Sequence, residues 1–229
     1  MLDAELLAEN HCLFGGGTAI ALRYGEYRES VDIDFLVSDI DGYRQLRQLL
    51  TGEQGLGALA RKDAKIQQSG ELRADQYGIR SMVRVGDVDI KFEIVLEARI
   101  ELDVPGEQDR IGDIATLTVL DMAASKLLAN SDRWADDSVF SRDIIDLAMM
   151  HPGSALLRRA ATKARQAYGS SIDSDLAKAV NALLTRHGRM DRCMVVLQMT
   201  PAVTPAVLRQ HIKALLPRVP SARGKAANP

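Results

Sequence analysis

The chain has 229 residues, 46% hydrophobic and 26% charged, which is typical of a folded protein with one large or two small domains. No apolar stretch is long enough to span a bilayer, and the first residues lack a basic region, so we expect neither a signal peptide nor a membrane partner. The two cysteines, Cys12 and Cys193, are far apart and have no metal-ligand neighbours. They are interpreted as reduced thiols in a cytoplasmic protein.

The net charge of −2 conceals a strong asymmetry along the chain. Residues 151–229 contain 13 lysines and arginines against 3 acidic residues, whereas residues 1–150 contain 16 basic and 28 acidic residues. A basic segment of this kind is typical of proteins that bind a polyanion such as nucleic acid. The alternative is that the basic helices dock on the acidic part or are simply solvated.

The N-terminal part is predicted to mix helices and strands. A hydrophobic pattern of period two predicts strands, and Gly86-Asp87 is suited to the tight turn of a hairpin. The stretch 51–75 is left without an assignment. The predicted elements are the end of a helix over 2–9, a short helix from the glycines to Tyr24, a strand over 31–37, an amphipathic helix over 41–50, and hairpin strands over 81–85 and 88–95.

From about Asp113 the pattern becomes helical. We therefore predict an α+β fold, with a small mixed β-sheet domain over 1–105, an α-helical domain over 106–216 and a disordered basic tail over 217–229. The predicted helices span about 117–130, Ser138 or Ser141 to Met150, 154–168, 174–187 and 205–216.

Two aspartates on the first long strand indicate a metal site. Side chains two apart on a strand share a face, so Asp32 and Asp34 project together while Val31, Ile33 and Phe35 project oppositely into a core. Adjacent carboxylates repel each other unless a cation or proton lies between them. Mg²⁺, which favours a few carboxylates plus substrate phosphate oxygens, is the expected ligand.

The glycines just before this strand are suited to phosphate. Gly15, Gly16, Gly17 and Thr18 would present backbone N–H groups at a helix start, where anions bind favourably. Arg23, Arg28 and Ser30 are further candidates for contacts with phosphate. Alternatively the glycines form only a turn, and the arginines lie on the surface.

A third carboxylate is expected from the hairpin, where Asp89, Lys91 and Glu93 share one face. Phosphoryl transfer with two metal ions uses several carboxylates, and one could also act as the base for an attacking hydroxyl. Either Glu93 or Asp89 could fill this role. The alternative is a solvated strand face on which Lys91 pairs with its acidic neighbours.

The helical part offers a buried cation. Lys126 lies within an apolar helix and needs a pocket, a carboxylate partner or solvent. Asp143 and Asp146 share one side of the next helix. Lys126 and Arg142 could neutralise a triphosphate, with Asp143 holding the lysine, or these residues could form only a structural ion pair.

These residues together resemble the AbiEii/AbiGii toxin family of nucleotidyltransferases, within the DNA polymerase β-like superfamily. The resemblance lies in Phe14 to Arg23 (FGGGTAIALR) and in Arg28 to Phe35 (RESVDIDF). Three later segments are similar to further motifs of the family: Ile90 to Ile94 (IKFEI), Ala124 to Ala129 (ASKLLA) and Ser141 to Leu147 (SRDIIDL). The matches occur in the family's order over about residues 13–147.

The resemblance implies an Mg²⁺- and NTP-dependent transferase, usually the toxin of a toxin–antitoxin pair, with RNA such as tRNA as the acceptor in some members. It also implies roles for eight residues. Gly16 and Gly17 would hold the triphosphate, Ser30 would lie at the nucleotide, Asp32 and Asp34 would bind metal together with Glu93 or Asp89, and Lys126 and Asp143 would complete the site.

Two other functions remain open on the sequence. The acceptor could be a small molecule or a protein hydroxyl instead of RNA. Alternatively the protein could be a catalytically idle module that binds a nucleotide or an antitoxin, although the paired carboxylates argue for a catalytic role.

Overall fold

The computed structural model describes residues 1–216. The prediction of a disordered tail over 217–229 lies outside these residues. Within them, no helix is both long enough and apolar enough to cross a membrane.

The described residues contain nine α-helices, most of which begin at a recognisable cap. The side chains of Asp3, Asp39, Thr118 and Thr204 each accept hydrogen bonds from the first turn of the helix that follows. The helices are α1 (Ala4–Glu9), α2 (Gly16–Arg23), α3 (Ile40–Leu50), α4 (Val119–Arg133), α5 (Arg142–Met149), α6 (Ser154–Tyr168), α7 (Ser171–Thr185), α8 (Arg189–Val196) and α9 (Pro205–Ala214).

The N-terminal half forms a mixed sheet, as predicted. Its order is β1-β2-β6-β5-β3, with β4 also paired to β5, and β7 and β8 form a separate pair. Strand β2 runs parallel to β6, and the other pairs are antiparallel. The strands are β1 (Leu13–Phe14), β2 (Ile33–Val37), β3 (Gln67–Gln68), β4 (Arg73–Ala74), β5 (Gly78–Val85), β6 (Val88–Leu96), β7 (Arg110–Ile111) and β8 (Ile114–Ala115).

Aromatic side chains pack on the apolar face of the sheet. Phe35 of β2 lies between Phe14 of β1 and Phe92 of β6, with ring centroids 5.4 and 5.8 Å away. Such tilted pairs add to the stabilisation from burial. This packing fixes the register of β2 against β6, in which Asp34 is aligned with Glu93 on the opposite face.

The helices pack around α4, which contacts α5, α6 and α7. Leu127 and Leu128 of α4 are fully buried and belong to the same hydrophobic cluster as the sheet residues Phe35 and Ile94. The cluster therefore runs through both predicted segments, so the sheet and the helices hold each other in place. The domain boundary at residue 105 remains a prediction.

Several element boundaries differ from the sequence prediction. Strand β2 begins at Ile33, so Asp32 and the exposed Val31 precede it. Helix α8 was not predicted, although Met190 and Cys193, three residues apart, are both buried on one side of it. In the unassigned stretch 51–75 the structure has a short 3₁₀ helix (Gly55–Leu59) and the two-residue strands β3 and β4.

The charge asymmetry is partly neutralised by pairing across the chain. Lys163 of α6 lies 2.7 Å from Asp103 and 2.5 Å from Asp121, and Arg189 pairs with Asp137. Basic helices therefore do dock on acidic residues of the first part. Other basic side chains in the described part, such as Arg158 and Arg159, are exposed on α6 and form no ion pair there.

Candidate active site

A cavity of about 530 Å³ lies between the acidic face of the sheet and the helices α4, α5 and α8. Both halves of the chain supply its walls. Of the residues predicted for the site, the cavity is lined by Gly16, Gly17, Arg28, Ser30, Asp32, Asp34, Glu93, Lys126, Arg142 and Asp143.

The glycine segment begins α2 directly against the aspartates. The backbone N–H of Gly15 donates to the carbonyl of Asp34 at 2.8 Å, and Gly16 has a φ of +68°, which favours glycine. A β-carbon on Gly16 would lie 2.7 Å from Cβ of Asp34. No side chain caps α2, so its first N–H groups remain available to an anion.

Asp32 and Asp34 are carboxylates without a partner. Within residues 1–216 neither side chain accepts a hydrogen bond or forms an ion pair. Burial raises the pKa of Asp34, and the neighbouring charges of Asp32 and Glu93 add to this, while Lys91 and Lys126 oppose it. A divalent cation would relieve this concentration of negative charge, so the donor set fits Mg²⁺.

Glu93 is in register with Asp34, but its carboxylate is occupied. Its Oε1 lies 2.6 Å from Arg80 Nε and its Oε2 lies 2.5 Å from Lys91 Nζ. Burial opposes these contacts, yet Lys91 and Arg80 together lower the pKa of Glu93. A metal contact from Glu93 would use the remaining lone pair of one of these oxygens or would require an ion pair to open. Accordingly, no group of three or more His, Cys, Asp or Glu side chains is placed to hold a metal within 1–216.

Asp89, the other candidate for the third carboxylate, lies away from the cavity. It forms a two-point ion pair with Arg84 at 2.5 and 2.8 Å and is exposed on the hairpin. The alternation of β6 places it on the face of Glu93 but four residues along the strand, about 13 Å away. Of the two, only Glu93 lines the cavity.

Lys126 and two aspartates of α5 form a buried ionic cluster. Lys126 Nζ lies 2.7 Å from Asp146 Oδ2 and 3.1 Å from Asp143 Oδ1, and Arg133 also binds Asp143 at 2.7 Å. Burial would raise the pKa of both aspartates, but Lys126 and the arginines lower it. The predicted lysine–aspartate pair is thus present, and it borders the cavity.

Arg28 joins this cluster to the glycine segment. Its Nε and Nη2 donate to the two oxygens of Asp146 at 2.7 and 3.0 Å, and Tyr27 Oη donates to the same carboxylate at 2.7 Å. A β-carbon on Gly17 would collide with the Arg28 guanidinium. Asp146, which the sequence suggested only by its spacing, therefore links α5 to the start of α2.

Two predicted nucleotide-binding residues are not among the residues that line the cavity. Arg23 lies 3.1 Å from Asp109 and 3.3 Å from the Thr116 hydroxyl. Thr18 is buried, and its hydroxyl lies 2.9 Å from that of Ser30. Their roles as direct ligands have no support from this geometry, although Thr18 can orient Ser30.

Arginines from outside the predicted set also line the cavity. Arg99 binds Glu97 and Asp132, and Arg133 binds Asp143. By contrast, the predicted Arg142, at the first position of α5, forms no ion pair with another described residue. Arg99 lies beyond the end of β6, and no motif in the sequence indicated that it would fold back to the cavity.

The family model for the nucleotidyltransferase AbiEii toxin, of type IV toxin–antitoxin systems, matches residues 2–225. The chain belongs to this family. It is therefore a nucleotidyltransferase of an AbiEii toxin family, which confirms the resemblance seen in the sequence motifs. Membership implies a nucleoside triphosphate substrate and an antitoxin partner.

Two solved structures from Helicobacter pylori are similar to the chain, one described as a candidate nucleotidyltransferase and the other as JHP933. Each is 20% identical with a TM-score of 0.48 and covers 93% of this chain. The aligned parts are 89% and 86% of those chains, respectively. No curated protein matches the sequence significantly.

Proposed function

We propose that this AbiEii-family protein catalyses Mg²⁺-dependent transfer of a nucleoside monophosphate from an NTP to a hydroxyl of RNA, such as tRNA. The observation that carries the proposal is the unpartnered pair Asp32 and Asp34, placed against the uncapped start of α2. One cavity thus combines carboxylates that can bind a divalent cation with backbone N–H groups that can bind phosphate.

Asp32 and Asp34 would hold the metal. When bound, Mg²⁺ would supply positive charge to the phosphate oxygens and would stabilise the attacking and leaving oxygens. The raised pKa of Asp34 supports this role, because a bound cation would offset the burial and repulsion that raise it.

The triphosphate would lie between the glycine segment and α5. The N–H groups of Gly16 and Gly17 would donate to it, and Ser30, held by Thr18, would contribute a hydroxyl. Arg142 is the cation best placed to pair with it, because it lines the cavity and has no described carboxylate partner. Lys126 keeps Asp143 and Asp146 in place, and its ammonium faces the same cavity.

In the transfer, the acceptor oxygen bonds to the α-phosphorus as the bond to diphosphate breaks. The hydroxyl proton must leave as this bond forms. Glu93 is proposed to orient the acceptor or take this proton, since it is the third carboxylate of the cavity. Its ion pairs with Arg80 and Lys91 favour the ionised, acceptor form.

The preference for RNA rests on charge and composition. The C-terminal part is basic, and neutralising phosphates is how proteins bind nucleic acid without reading its sequence. Aromatic residues make up only 4% of the chain, which favours reading an RNA end or shape over stacking along a single strand. A small-molecule or protein acceptor, or an idle binding module, are the competing functions.

Incubation of the purified protein with Mg²⁺, each labelled NTP and total tRNA tests the proposal. We expect labelled RNA, lost in Asp32→Asn and Asp34→Asn but kept in Asp87→Asn, an exposed aspartate at the hairpin turn. Label on the protein alone would indicate self-modification. Mg²⁺-independent NTP binding that survives the Asp32 and Asp34 substitutions, with no labelled product, would indicate an idle module.

A further inference from the structure

A second, smaller cavity of about 260 Å³ lies where α7 is followed by α8. Its wall contains Arg186, His187, Arg189 and Arg192, and we call this cavity the arginine cavity. Among residues 1–216, Asp137 is the one carboxylate that lines it. Three guanidinium groups face this single acid and together lower its pKa, so the cavity keeps an excess of positive charge.

The three arginines differ in how freely they can bind a ligand. Arg189 is largely buried, where it pairs with Asp137 and donates to the Ser141 hydroxyl at 3.1 Å. Arg186 lies 3.5 Å from Asp137 and is half exposed. Arg192 is exposed, and its guanidinium carbon lies 5.5 Å from the Phe140 ring centroid without a carboxylate contact within 1–216. Arg189 thus holds the wall of the cavity in place, while the side chains of Arg186 and Arg192 can reorient to bind an anion.

Backbone groups add to this positive charge. Helix α8 starts after Gly188, whose φ is +66°, and no side chain caps it. Gly188 and the first helical residue, Arg189, line the arginine cavity, so the positive end of the helix lies there, although the N–H of Arg189 already donates to the carbonyl of Arg186 at 3.2 Å. Guanidinium groups near a helix N-terminus favour the binding of phosphate oxygens.

Helix α8 connects the arginine cavity to the candidate active site. Its last residue, Val196, and the following Leu197 line the larger cavity. Eight helical residues span about 12 Å. A second connection between the two cavities is equally short. Arg189 donates to Ser141, and Ser141 directly precedes Arg142, which lines the candidate active site. A polynucleotide strand covers this separation within a few nucleotides.

We infer that the arginine cavity binds backbone phosphates of the acceptor RNA a few nucleotides away from the hydroxyl that is modified. This inference rests on the proposed RNA acceptor and extends it to a specific surface. The ligand is a phosphodiester chain, because a single mononucleotide at the active site would not reach this cavity. No base-specific contact is required of it.

Binding of fluorescein-labelled total tRNA to the full chain, followed by anisotropy without NTP, tests the inference. The double variant Arg186→Gln, Arg192→Gln should weaken binding about tenfold. Each single-strand phosphate contact contributes about −0.7 to the slope of log affinity against log salt concentration. The double variant loses two contacts, so its slope should be shallower than that of the wild type by about 1.4. The matched control is Arg158→Gln, Arg159→Gln, which removes the same charge from exposed positions on α6 outside both cavities. It should change the affinity less than twofold.

Equal weakening by the two double variants would overturn the inference, because the attraction would then be spread over the basic surface. Arg192→Lys, which keeps the charge, should retain most of the affinity. As a second measurement, tRNA containing 4-thiouridine should crosslink within 186–193, and crosslinks confined to other segments would also overturn it.

The outcomes separate this inference from the proposed function. If RNA is labelled by NTP but both double variants show the same KM for tRNA, the transferase function stands and the arginine cavity is not its RNA site. If no RNA is labelled but the Arg186 and Arg192 substitutions selectively weaken tRNA binding, the cavity is an RNA site of a protein with another activity.

Discussion

Asp34 and Glu93 are aligned residues of the parallel strands β2 and β6, yet their carboxylates have opposite electrostatic surroundings. Glu93 has a cation on each oxygen, and its pKa is lowered. Asp34 has no partner within residues 1–216, and its pKa is raised. The cavity thus contains one carboxylate, Glu93, with cationic partners and one, Asp34, with none among the described residues. This arrangement is expected if a ligand binds the Asp34 carboxylate.

Asp34→Asn should stabilise the ligand-free protein while abolishing nucleotide transfer. The substitution removes a charge that burial and repulsion disfavour in the folded state. We expect Tm to rise by up to about 4 °C, the shift that accompanies about 1 kcal/mol in a chain of this size. Thermal unfolding without Mg²⁺ measures this, with Asp87→Asn as the matched control. A Tm for Asp34→Asn below that of the wild type would contradict the prediction, because it would mean that other contacts stabilise the Asp34 carboxylate in the folded protein.

The stabilisation by Asp34→Asn should depend on pH. A raised pKa means that the folded state holds the Asp34 proton more tightly than the unfolded state, so the ionised group costs stability above the folded pKa. This cost disappears as the pH falls through the folded pKa to below the unfolded value of about 3.9. The Tm difference between Asp34→Asn and wild type should therefore shrink as the pH falls, and a constant difference would contradict the assignment.

Glu93→Gln should lower kcat by about 100-fold, in the range attributed to a positioned acid or base. Asp89→Asn is the matched control, since Asp89 lies on the same strand face but pairs with Arg84 outside the cavity. We expect it to keep kcat within about twofold of the wild type. Transfer rates under saturating NTP measure both variants. A large loss with Asp89→Asn and none with Glu93→Gln would reverse their roles.

Asp146→Ala should destabilise the protein strongly. It leaves Lys126 and Arg28 buried without the carboxylate that both contact. Removing one partner of a buried ion pair costs about 3–5 kcal/mol, so we expect Tm to fall by about 10 °C. Asp173→Ala removes an exposed partner of Arg165 and should change stability by less than about 1 kcal/mol. Similar Tm losses in the two variants would contradict a structural role for the cluster.

Gly17→Ala should weaken NTP binding. The added methyl group would meet the Arg28 guanidinium, which Asp146 holds in place, so the start of α2 must shift. We expect the Kd for NTP with Mg²⁺, measured by calorimetry, to rise at least about tenfold. Gly57→Ala adds a methyl group where no atom lies within 4 Å and serves as the control. An unchanged Kd for Gly17→Ala would show that the triphosphate does not use this segment.

Much of the site could be predicted because it depends on local chain geometry. The alternation of side chains in a strand and the N–H groups of a helix start are properties of short segments, and the predicted residues Asp34, Gly16 and Gly17 all line the cavity. Local geometry did not show the partner of Arg23. Its position near the glycines predicts a phosphate contact, and in the structure its guanidinium donates to Asp109, 86 residues away.

The amino-acid sequence by itself determined the mixed sheet, most helices, the family motifs and the residue types of the site. Only the tertiary structure decided which charges are neutralised, because ion pairs form between segments distant in the chain. It gave Asp32 and Asp34 no partner among residues 1–216, gave Glu93 two, and tied Arg28 to Asp146 across 118 residues. It also brought the C-terminal end of α8 to the active-site cavity, since burying the apolar faces of the helices against α4 and the sheet fixes where each helix ends.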